Sequence, residues 1–313
     1  MSRVYKIITR KSKLALVQVN QVVKELQKVD PDFQYEIVEV LSDGCYDRFK
    51  GSLKELGGKG AFVRNLEAAL LEKEADFAVH SMKDVPTDEE LPEGLCIPAM
   101  LEREDIRDVI VCRSGENFVG LKEGAVVGTS SVRRAAQIYA SFPHLKVDGL
   151  RGNVDTRLKK LDSGEVDAAV LAKAGLDRLG LSDRISEVFE PDMMLPAVGQ
   201  GAVGVECRAD DQKLMELLAQ VNHKDTFTCV TAERIMCGGL GGNCSTPIAG
   251  YCQVTKGGNL RLIAHVTSLD GTQLVRSRHK MAYDEAVALG EKVANDLLNQ
   301  GAKEVMCPSA ASA

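Results

Sequence analysis

Basic and hydroxyl residues follow four apolar, strand-like runs of this chain, each close to a predicted helix start. The runs are 5–9, 75–80, 126–128 and 147–150. The basic residues after them are Arg10, Lys11, Lys83, Arg133, Arg134, Arg151 and Arg157, and the hydroxyl residues are Ser12, Ser81, Thr129, Ser130 and Ser131. In open α/β folds, ligands bind just beyond the carboxyl ends of strands, where helix N-termini offer N–H groups and partial positive charge. The pattern predicts a site for a ligand with several negative charges.

Arg133 and Arg134 are adjacent at a predicted helix start, where their charges oppose the helix dipole. A bound anion would offset this repulsion, and arginine pairs bidentately with carboxylate or phosphate. Arg157 and Arg178 also fit a simpler interpretation as solvent-exposed helix residues.

The segment 80–86, His-Ser-Met-Lys-Asp-Val-Pro, places Ser81, Lys83 and Asp84 at a strand end. An isolated Lys-Asp pair would be typical of a solvated exit from a strand. Here the preceding run 77–79 is entirely apolar and predicted to be buried, so the exit lies where ligands bind. Asp84 can accept hydrogen bonds from ring N–H groups or stabilise a cation there.

A glycine-rich loop, 238–247, contains Cys244. Glycine lets the backbone approach a ligand closely, and a cysteine on such a loop is a candidate nucleophile. The segment also fits a flexible turn with an incidental thiol. On its own it leaves both interpretations open.

Composition argues against several classes of protein. A formal net charge of −6 over 313 residues disfavours a general nucleic-acid binder, which needs a positive field. No apolar run reaches membrane-spanning length and the N-terminus lacks a signal-peptide core, so we expect a cytoplasmic protein without a membrane partner. The nine cysteines contain no C-x-x-C, and we expect neither a disulfide framework nor a metal site. We interpret Cys96, Cys112, Cys207 and Cys252 as buried small hydrophobes.

Alternating strand and helix patterns up to residue 172 predict two α/β units. The predicted strands are 5–9, 35–41, 76–80, 109–112, 126–129, 147–150 and 168–172, and Ser12 is the predicted N-cap of a helix with the apolar stripe Ala15, Val19, Val22 and Leu26. Hairpin signals then predict three strands at 248–254, 260–267 and 273–279. A final helix is expected, capped by Asp284, with Val287 and Val293 facing inward. We interpret 43–60 as a surface lid, 190–196 as a linker and the tail after 307 as loose.

Two glycine patterns suggest nucleotide binding, and both fail on context. Residues 199–204 match G-x-G-x-x-G, but the following run 203–207 is strand-like rather than helical, which disfavours a dehydrogenase. Residues 57–60 lack the spacing and the Ser or Thr of a phosphate-binding loop.

Taken together, the motifs resemble the porphobilinogen deaminase (hydroxymethylbilane synthase) family of tetrapyrrole biosynthesis over nearly the whole chain. The segments that carry the resemblance are 9–16, 58–62, 80–86, 128–134, 150–157, 195–204 and 233–247. The resemblance implies a transferase that condenses four molecules of porphobilinogen into linear hydroxymethylbilane and releases ammonia. It implies a monomer.

The same resemblance implies a dipyrromethane cofactor, joined to Cys244 by a thioether, and catalytic roles for Asp84 and Lys83. It assigns cofactor or substrate binding to Arg10, Ser12, Lys59, Phe62, Ser81, Lys83, Thr129, Ser130, Ser131, Arg133, Arg134, Arg151, Gly152, Arg157, Arg178 and Gln200. This chain departs from the family pattern at Asn243, at Lys13 and in 44–50.

The resemblance also implies three domains: 1–101 plus 201–219, 105–196, and 222–313. The first two are expected to form an α/β cleft like that of periplasmic binding proteins, and the third a smaller α+β domain with a three-stranded antiparallel sheet that bears the cofactor. The rival interpretation is a non-catalytic, two-lobed binder of a small anionic solute. It explains the arginines but leaves Cys244 without a role.

Overall fold

The computed structural model describes residues 3–40, 61–87, 91–243 and 245–306, apart from the side chains of 61 and 62. The chain divides into two compact units. Unit 1 contains residues up to 103 together with 202–227, and unit 2 contains 104–201 together with the residues from 228 onward.

The strands and the α-helices are numbered separately, each in chain order. The strands are β1 (Val4–Arg10), β2 (Gln34–Val40), β3 (Phe77–Ser81), β4 (Leu95–Met100), β5 (Asp108–Cys112), β6 (Val126–Gly128), β7 (Lys146–Asp148), β8 (Ala168–Ala172), β9 (Glu187–Val188), β10 (Val203–Arg208), β11 (Ile248–Val254), β12 (Leu260–Thr267) and β13 (Leu274–Met281). The α-helices are α1 (Lys13–Val29), α2 (Ala61–Leu71), α3 (Val132–Ser141), α4 (Val154–Asp162), α5 (Lys173–Arg178), α6 (Gln212–Ala219), α7 (Lys224–Gly239), α8 (Ala286–Asn299) and α9 (Ala302–Met306).

Unit 1 is built on a mixed sheet with the strand order β2-β1-β3-β10-β4. β1 pairs in parallel with β2 and β3, whereas β10 runs antiparallel to both β3 and β4. One face of the sheet packs Phe77 and Val205 against Val19 and Val22 of α1. The other face packs against α2, so that both faces are covered and the strands are largely apolar.

Unit 2 has a second mixed sheet, with the order β7-β6-β8-β5-β9. β6 is parallel to β7 and β8, and β5 is antiparallel to β8 and β9. The same unit contains the antiparallel sheet β11-β12-β13. Met236 of α7 and Leu289 and Val293 of α8 pack with Leu260 and Leu262 of this sheet in one apolar core.

The predicted α/β class and the C-terminal three-stranded antiparallel sheet are confirmed, and the predicted strands 248–254 and 260–267 coincide with β11 and β12. The Ser12 cap of α1 and its buried stripe are also confirmed. The three predicted domain ranges stay predictions. The expected lid, 43–60, and the tail after 307 lie outside the described residues.

Two predictions about the C-terminal half are wrong. The N-cap of α8 is Glu285 rather than Asp284, and Val287 is exposed, because the buried stripe of this helix runs through Leu289, Val293 and Leu297. The linker interpretation of 190–196 stays a prediction; within this segment Leu195 is buried, its N–H donates to Gln137 Oε1 at 2.8 Å, and its carbonyl accepts from the Arg133 guanidinium at 2.7 Å.

Candidate active site

The carboxyl ends of β1 and β3 bring several predicted site residues to one edge of the sheet in unit 1. Arg10 is half-buried at the end of β1, and Ser12 caps α1 by accepting a hydrogen bond from the Ala15 N–H at 3.2 Å. Ser81, at the end of β3, accepts a hydrogen bond from Gln18 Nε2 on α1 at 2.7 Å. Because β1 and β3 are parallel neighbours, these hydroxyls and the arginine belong to the edge where α/β sheets bind ligands.

A single 3₁₀ turn, Met82–Asp84, follows β3, and its three side chains differ in how deeply they are buried. Met82 is buried, and its N–H donates to the Ala202 carbonyl at 3.0 Å. Its sulfur lies against Gly204, where any β-carbon would collide with it. Lys83 is half-buried and Asp84 is exposed. The buried methionine therefore anchors a turn whose last side chain is a solvent-accessible carboxylate.

A buried polar pair lies on the strands that support this turn. His80 Nε2 is 2.8 Å from Glu206 Oε2, and both side chains are almost completely inaccessible. Register pairs His80 with Gly204 and Ala78 with Glu206, which places the two side chains diagonally on one face of β3 and β10. Among the described residues, Glu206 Oε1 has no hydrogen-bond partner. The sequence analysis did not predict this pair, although each member is a polar residue inside an otherwise apolar strand.

In unit 2, the hydroxyl residues after β6 build the start of α3. The Thr129 hydroxyl accepts a hydrogen bond from the Ser131 N–H at 3.1 Å, and the Ser131 hydroxyl accepts one from the Arg134 N–H at 3.5 Å as the N-cap. Ser130 Oγ is buried and has no hydrogen-bond partner in the described part of the chain. Two of the three predicted hydroxyls thus hold the helix start, and the third remains available to a ligand.

Arg133 and Arg134 are both buried around the carboxylate of Asp108. Arg133 Nη2 is 2.7 Å from Asp108 Oδ2, and Arg134 Nη2 is 2.6 Å from Oδ1. Arg134 also donates to the Val170 carbonyl at 2.9 Å. Burial by itself would raise the pKa of Asp108, but the two guanidinium charges outweigh it and hold that pKa well below its usual range.

This cluster changes the explanation of the adjacent arginines. The sequence analysis expected a bound anion to offset their repulsion, and the chain itself provides one in Asp108. The Arg-Arg pair therefore does not require a ligand by itself, and its ligand-binding role stays a prediction. A signal for Asp108 was present in the sequence, since a carboxylate that opens the apolar run 109–112 needs a cationic partner once it is buried.

Gln200 and Arg178 are also internal. Gln200 Nε2 donates to Asp108 Oδ1 at 2.9 Å and to the Ile106 carbonyl at 2.7 Å. Arg178 is not the solvated residue that its simpler interpretation predicted. Its side chain is buried, and its guanidinium pairs with Glu104 at 3.2 Å and with the Gly201 carbonyl at 2.9 Å.

The turn after β7 is exposed to solvent, unlike the internal side chains of Gln200 and Arg178. Arg151 and Gly152 are exposed, and Gly152 adopts φ +116°, a conformation that favours glycine. Arg157, on the first turns of α4, donates from Nε to the Gly152 carbonyl at 2.8 Å. Arg157 thus fixes the backbone of the turn, and Arg151 is the guanidinium in this turn that is exposed to solvent.

No described helix is long and apolar enough to cross a bilayer. Within the described ranges, no group of three or more His, Cys, Asp or Glu residues is arranged to hold a metal ion.

Comparison with known proteins identifies the family. Residues 5–216 match the family model described as "Porphobilinogen deaminase, dipyromethane cofactor binding domain", and residues 227–299 match "Porphobilinogen deaminase, C-terminal domain". The chain belongs to the porphobilinogen deaminase family. A porphobilinogen deaminase from Staphylococcus carnosus (strain TM300) is 42% identical over 300 residues, which span 95% of this chain and 96% of that protein.

Among solved structures, the periplasmic VFT2 domain of Bordetella pertussis BvgS is similar, with a TM-score of 0.41 and 18% identity over 70% of this chain and 86% of that one. A periplasmic binding protein of Salmonella typhimurium with high arginine specificity gives a TM-score of 0.43 and 13% identity over 70% of this chain and 92% of that one. At these TM-scores the likeness supports no inference about ligands.

Family membership directs attention to the loop around Cys244. Cys244 and Lys59 lie outside the described residues, as does the side chain of Phe62, which belongs to α2. The residues beside Cys244 are well fixed: the Asn243 side-chain carbonyl accepts from the Ser245 N–H at 2.8 Å, and the Asn243 N–H donates to Thr246 Oγ1 at 3.0 Å. Asn243 therefore contacts both residues that follow the cysteine, and the contact with Ser245 uses its side-chain carbonyl.

The described residues fit the cofactor that the family model names. A dipyrromethane built from porphobilinogen carries several carboxylates and needs cationic or hydroxyl partners. The unpartnered Ser130 hydroxyl and the exposed Arg151 are groups of this kind. Ser130 Oγ is buried without a partner among the described residues, so a ligand oxygen beside it would accept the hydrogen bond that this hydroxyl otherwise does not donate.

Proposed function

We propose that this chain is a hydroxymethylbilane synthase, which joins four porphobilinogen molecules head to tail and releases ammonia at each addition. The observation that carries the proposal is the exposed carboxylate of Asp84 on a turn anchored by buried Met82, in a chain of the porphobilinogen deaminase family. A positioned, accessible carboxylate is what stabilisation of a cationic pyrrole requires.

Asp84 is the catalytic residue of this proposal. Its carboxylate accepts hydrogen bonds from the N–H groups of the reacting pyrrole and stabilises the positive charge that develops on the substrate as ammonia leaves. Lys83, next to it and half-buried, supplies a positive charge for a substrate carboxylate.

The remaining predicted site residues divide into those that bind carboxylates and those that position them. In unit 1, Arg10, Ser12 and Ser81 at the sheet edge offer direct partners for carboxylates. In unit 2, Ser130 and Arg151 do so. Arg133, Arg134, Arg178 and Gln200 hold the strand ends and helix starts in place through their buried contacts, and Thr129, Ser131, Gly152 and Arg157 shape the backbone around them. A hydrogen bond to a charged group contributes about 1.5–3 kcal/mol, so several anchors are needed to hold a polycarboxylate against water.

We infer that Cys244 carries the dipyrromethane cofactor through a thioether. When bound, the cofactor supplies the pyrrole carbon to which the first substrate is added and keeps the chain attached to the protein. Gly241, at φ +67°, and the hydrogen bonds of Asn243 and Thr246 hold the backbone beside the cysteine.

Intact-mass spectrometry of the purified protein, combined with a turnover assay on porphobilinogen, tests the proposal. We expect an added mass equal to two linked pyrroles and formation of a linear bilane. Cys244→Ser removes both, whereas Cys112→Ser, at a buried cysteine of the second sheet, retains both. A folded, unmodified wild-type chain that makes no bilane would overturn the proposal.

The alternative, a two-lobed binder of a small anionic solute, predicts a different result in the same experiment. Such a protein binds a carboxylate without any adduct on Cys244 and without turnover. Membership of a family described by its cofactor-binding domain favours the enzyme.

We also infer that the enzyme is a cytoplasmic monomer that contacts neither nucleic acid nor membrane. The described cysteines at 96, 112, 207 and 229 are free thiols, which suits a reducing compartment. Light scattering at micromolar concentration checks the oligomeric state, and cell fractionation checks the compartment.

A further inference from the structure

Cys96 and Cys207 face each other across two neighbouring strands of unit 1. β4 and β10 are antiparallel, and their register pairs Cys207 directly with Cys96. Cys207 is fully buried in the core between the sheet and helices α1 and α6. Cys96 is half-buried on β4, which is the edge strand of the sheet. Both are free thiols, one of them within reach of solutes at the sheet edge.

The pairing geometry suits a disulfide. Directly opposed residues of antiparallel strands project from the same face, with Cα atoms about 4.5–5.5 Å apart, and disulfides span Cα separations of roughly 4.4–6.8 Å. Both thiols are free and belong to residues paired across the two strands. The register shifts between Val205 and Cys207, and an irregularity of this kind lets one strand adjust locally.

We propose that Cys96 and Cys207 form a reversible redox pair, which an oxidant of the peroxide class converts into an intrachain disulfide. The Cys96 thiolate attacks the peroxide, the O–O bond breaks, hydroxide leaves and a sulfenic acid forms. The Cys207 sulfur then attacks the Cys96 sulfur, the S–O bond breaks, and the oxygen departs as water with the proton of Cys207. The two sulfurs together lose two electrons, which the peroxide accepts.

Position makes Cys96 the thiol that reacts first. It lies at the sheet edge, whereas Cys207 is inaccessible. Burial raises the pKa of both thiols, Glu206 raises that of Cys96 and Asp211 that of Cys207, and Arg208 lowers that of Cys207. Because burial is the largest cause raising the pKa of both thiols, accessibility rather than ionisation makes Cys96 the first to react.

The disulfide is expected to be easily reduced. Cys96 lies on the edge strand and is only half-buried, so a disulfide there is accessible to thiol reductants. Exposed disulfides have more oxidising potentials and belong to the labile class. The pair is therefore reduced under cytoplasmic conditions and oxidises only under stress.

Peptide mapping tests the pair on the full-length protein as purified. The folded protein is treated with hydrogen peroxide, remaining thiols are blocked with N-ethylmaleimide after denaturation, and the non-reduced digest is analysed by mass spectrometry. We expect a linked peptide that contains Cys96 and Cys207, lighter than the two reduced peptides by two hydrogens, which dithiothreitol separates.

Matched variants identify the members of the pair. Cys96→Ser abolishes the linked peptide and leaves Cys207 alkylated, whereas Cys112→Ser, at a buried cysteine of the other unit, leaves the link intact. Recovery of Cys96 as an unlinked thiol or as sulfinic acid, or a link from Cys207 to another cysteine, would overturn the proposal. The wild-type map gives this answer by itself, so the result does not depend on how well either variant folds.

Discussion

Each unit contains a buried group of charged or polar side chains near its predicted site residues, here called its centre. The two centres have different hydrogen-bond contacts. In unit 2, Asp108 is surrounded by Arg133, Arg134 and Gln200, which donate to both of its oxygens. In unit 1, Glu206 meets His80 through one oxygen, and its other oxygen has no partner among the described residues. The first centre is a network of ionic contacts, and the second is a single pair.

The difference also concerns where the predicted site residues are. In unit 2, three of them, Arg133, Arg134 and Gln200, belong to the buried centre, so their effects on stability and on ligand binding are combined. In unit 1, the predicted catalytic residue Asp84 is exposed, and the buried pair of His80 and Glu206 lies on the strands that support its turn. Stability and activity should therefore be separable in unit 1 and inseparable in unit 2.

The largest effect is expected from Asp108→Asn. It removes the negative charge and leaves two guanidiniums buried side by side, which lowers the free energy of unfolding by about 3–5 kcal/mol. Urea unfolding measures the loss. Asp162→Asn is the control, because Asp162 pairs with Arg184 at 2.6 Å on the surface and such pairs contribute about 1 kcal/mol or less. Equal, small losses in both variants would show that Asp108 is not the centre of unit 2.

Asp84→Ala tests whether activity can be changed without changing stability in unit 1. We expect turnover to fall roughly 10²–10³-fold, because a group that stabilises transition-state charge is removed. The free energy of unfolding should change by less than about 0.5 kcal/mol, because the side chain is exposed. Steady-state kinetics and urea unfolding are measured on one preparation.

Asp32→Ala is the matched control for Asp84. Asp32 is an exposed aspartate of the same unit, located before β2 and therefore away from the carboxyl ends of the strands. It should change neither turnover nor stability. Near-normal turnover in Asp84→Ala would remove Asp84 from the catalytic role, and a large stability loss would contradict the separation.

The charge of Arg133, which belongs to the unit 2 centre, also affects the pKa of the buried residue His265. The pKa of His265 is lowered to about 3, since burial disfavours its charged form and Arg276 and Arg133 repel it. Below pH 6.5 the unfolded chain binds a proton here that the folded chain does not, so stability is lost as the pH falls from 6.5 toward 3. The loss is about 1.4 kcal/mol per pH unit at most, or roughly 2 kcal/mol between pH 6.5 and 4.5.

Stability against pH, measured by urea unfolding, tests this for wild type and His265→Gln. The variant should show a shallower decline between pH 6.5 and 4.5. His144→Gln, at an exposed histidine of the same unit, should follow the wild-type curve. Parallel curves for wild type and His265→Gln would show that His265 does not contribute to the decline.

How much of this could be predicted depends on how local each feature is. The Ser12 cap, the buried run 77–79 and the hairpins of the last sheet follow from patterns within a few residues, and the structure confirms them. The exposed turn with Arg151 and the turn with Asp84 also begin at strand ends that periodicity locates. Local patterns therefore located the strand ends that Asp84 and Arg151 follow.

The buried centres could not be predicted in the same way. Arg133 and Asp108 are 25 positions apart, and His80 and Glu206 are 126 apart. These contacts depend on β10 entering the first sheet between β3 and β4 and on β5 lying beside β8. Strand order and register are set by the whole fold, and a single sequence does not specify them through local propensity.

The smallest expected effect, from Glu206→Gln, decides whether the two centres really differ. The glutamine carbonyl can still accept from His80, so the change should lower the free energy of unfolding by only about 1 kcal/mol. Glu206→Ala removes the acceptor, leaves His80 buried without this contact, and should lower it by about 1–3 kcal/mol. Urea unfolding of both variants gives the two values. If Glu206→Gln instead lost as much stability as Asp108→Asn, the negative charge itself would be essential in both units. The orphaned oxygen of Glu206 would then need a cationic partner as strong as the guanidiniums around Asp108.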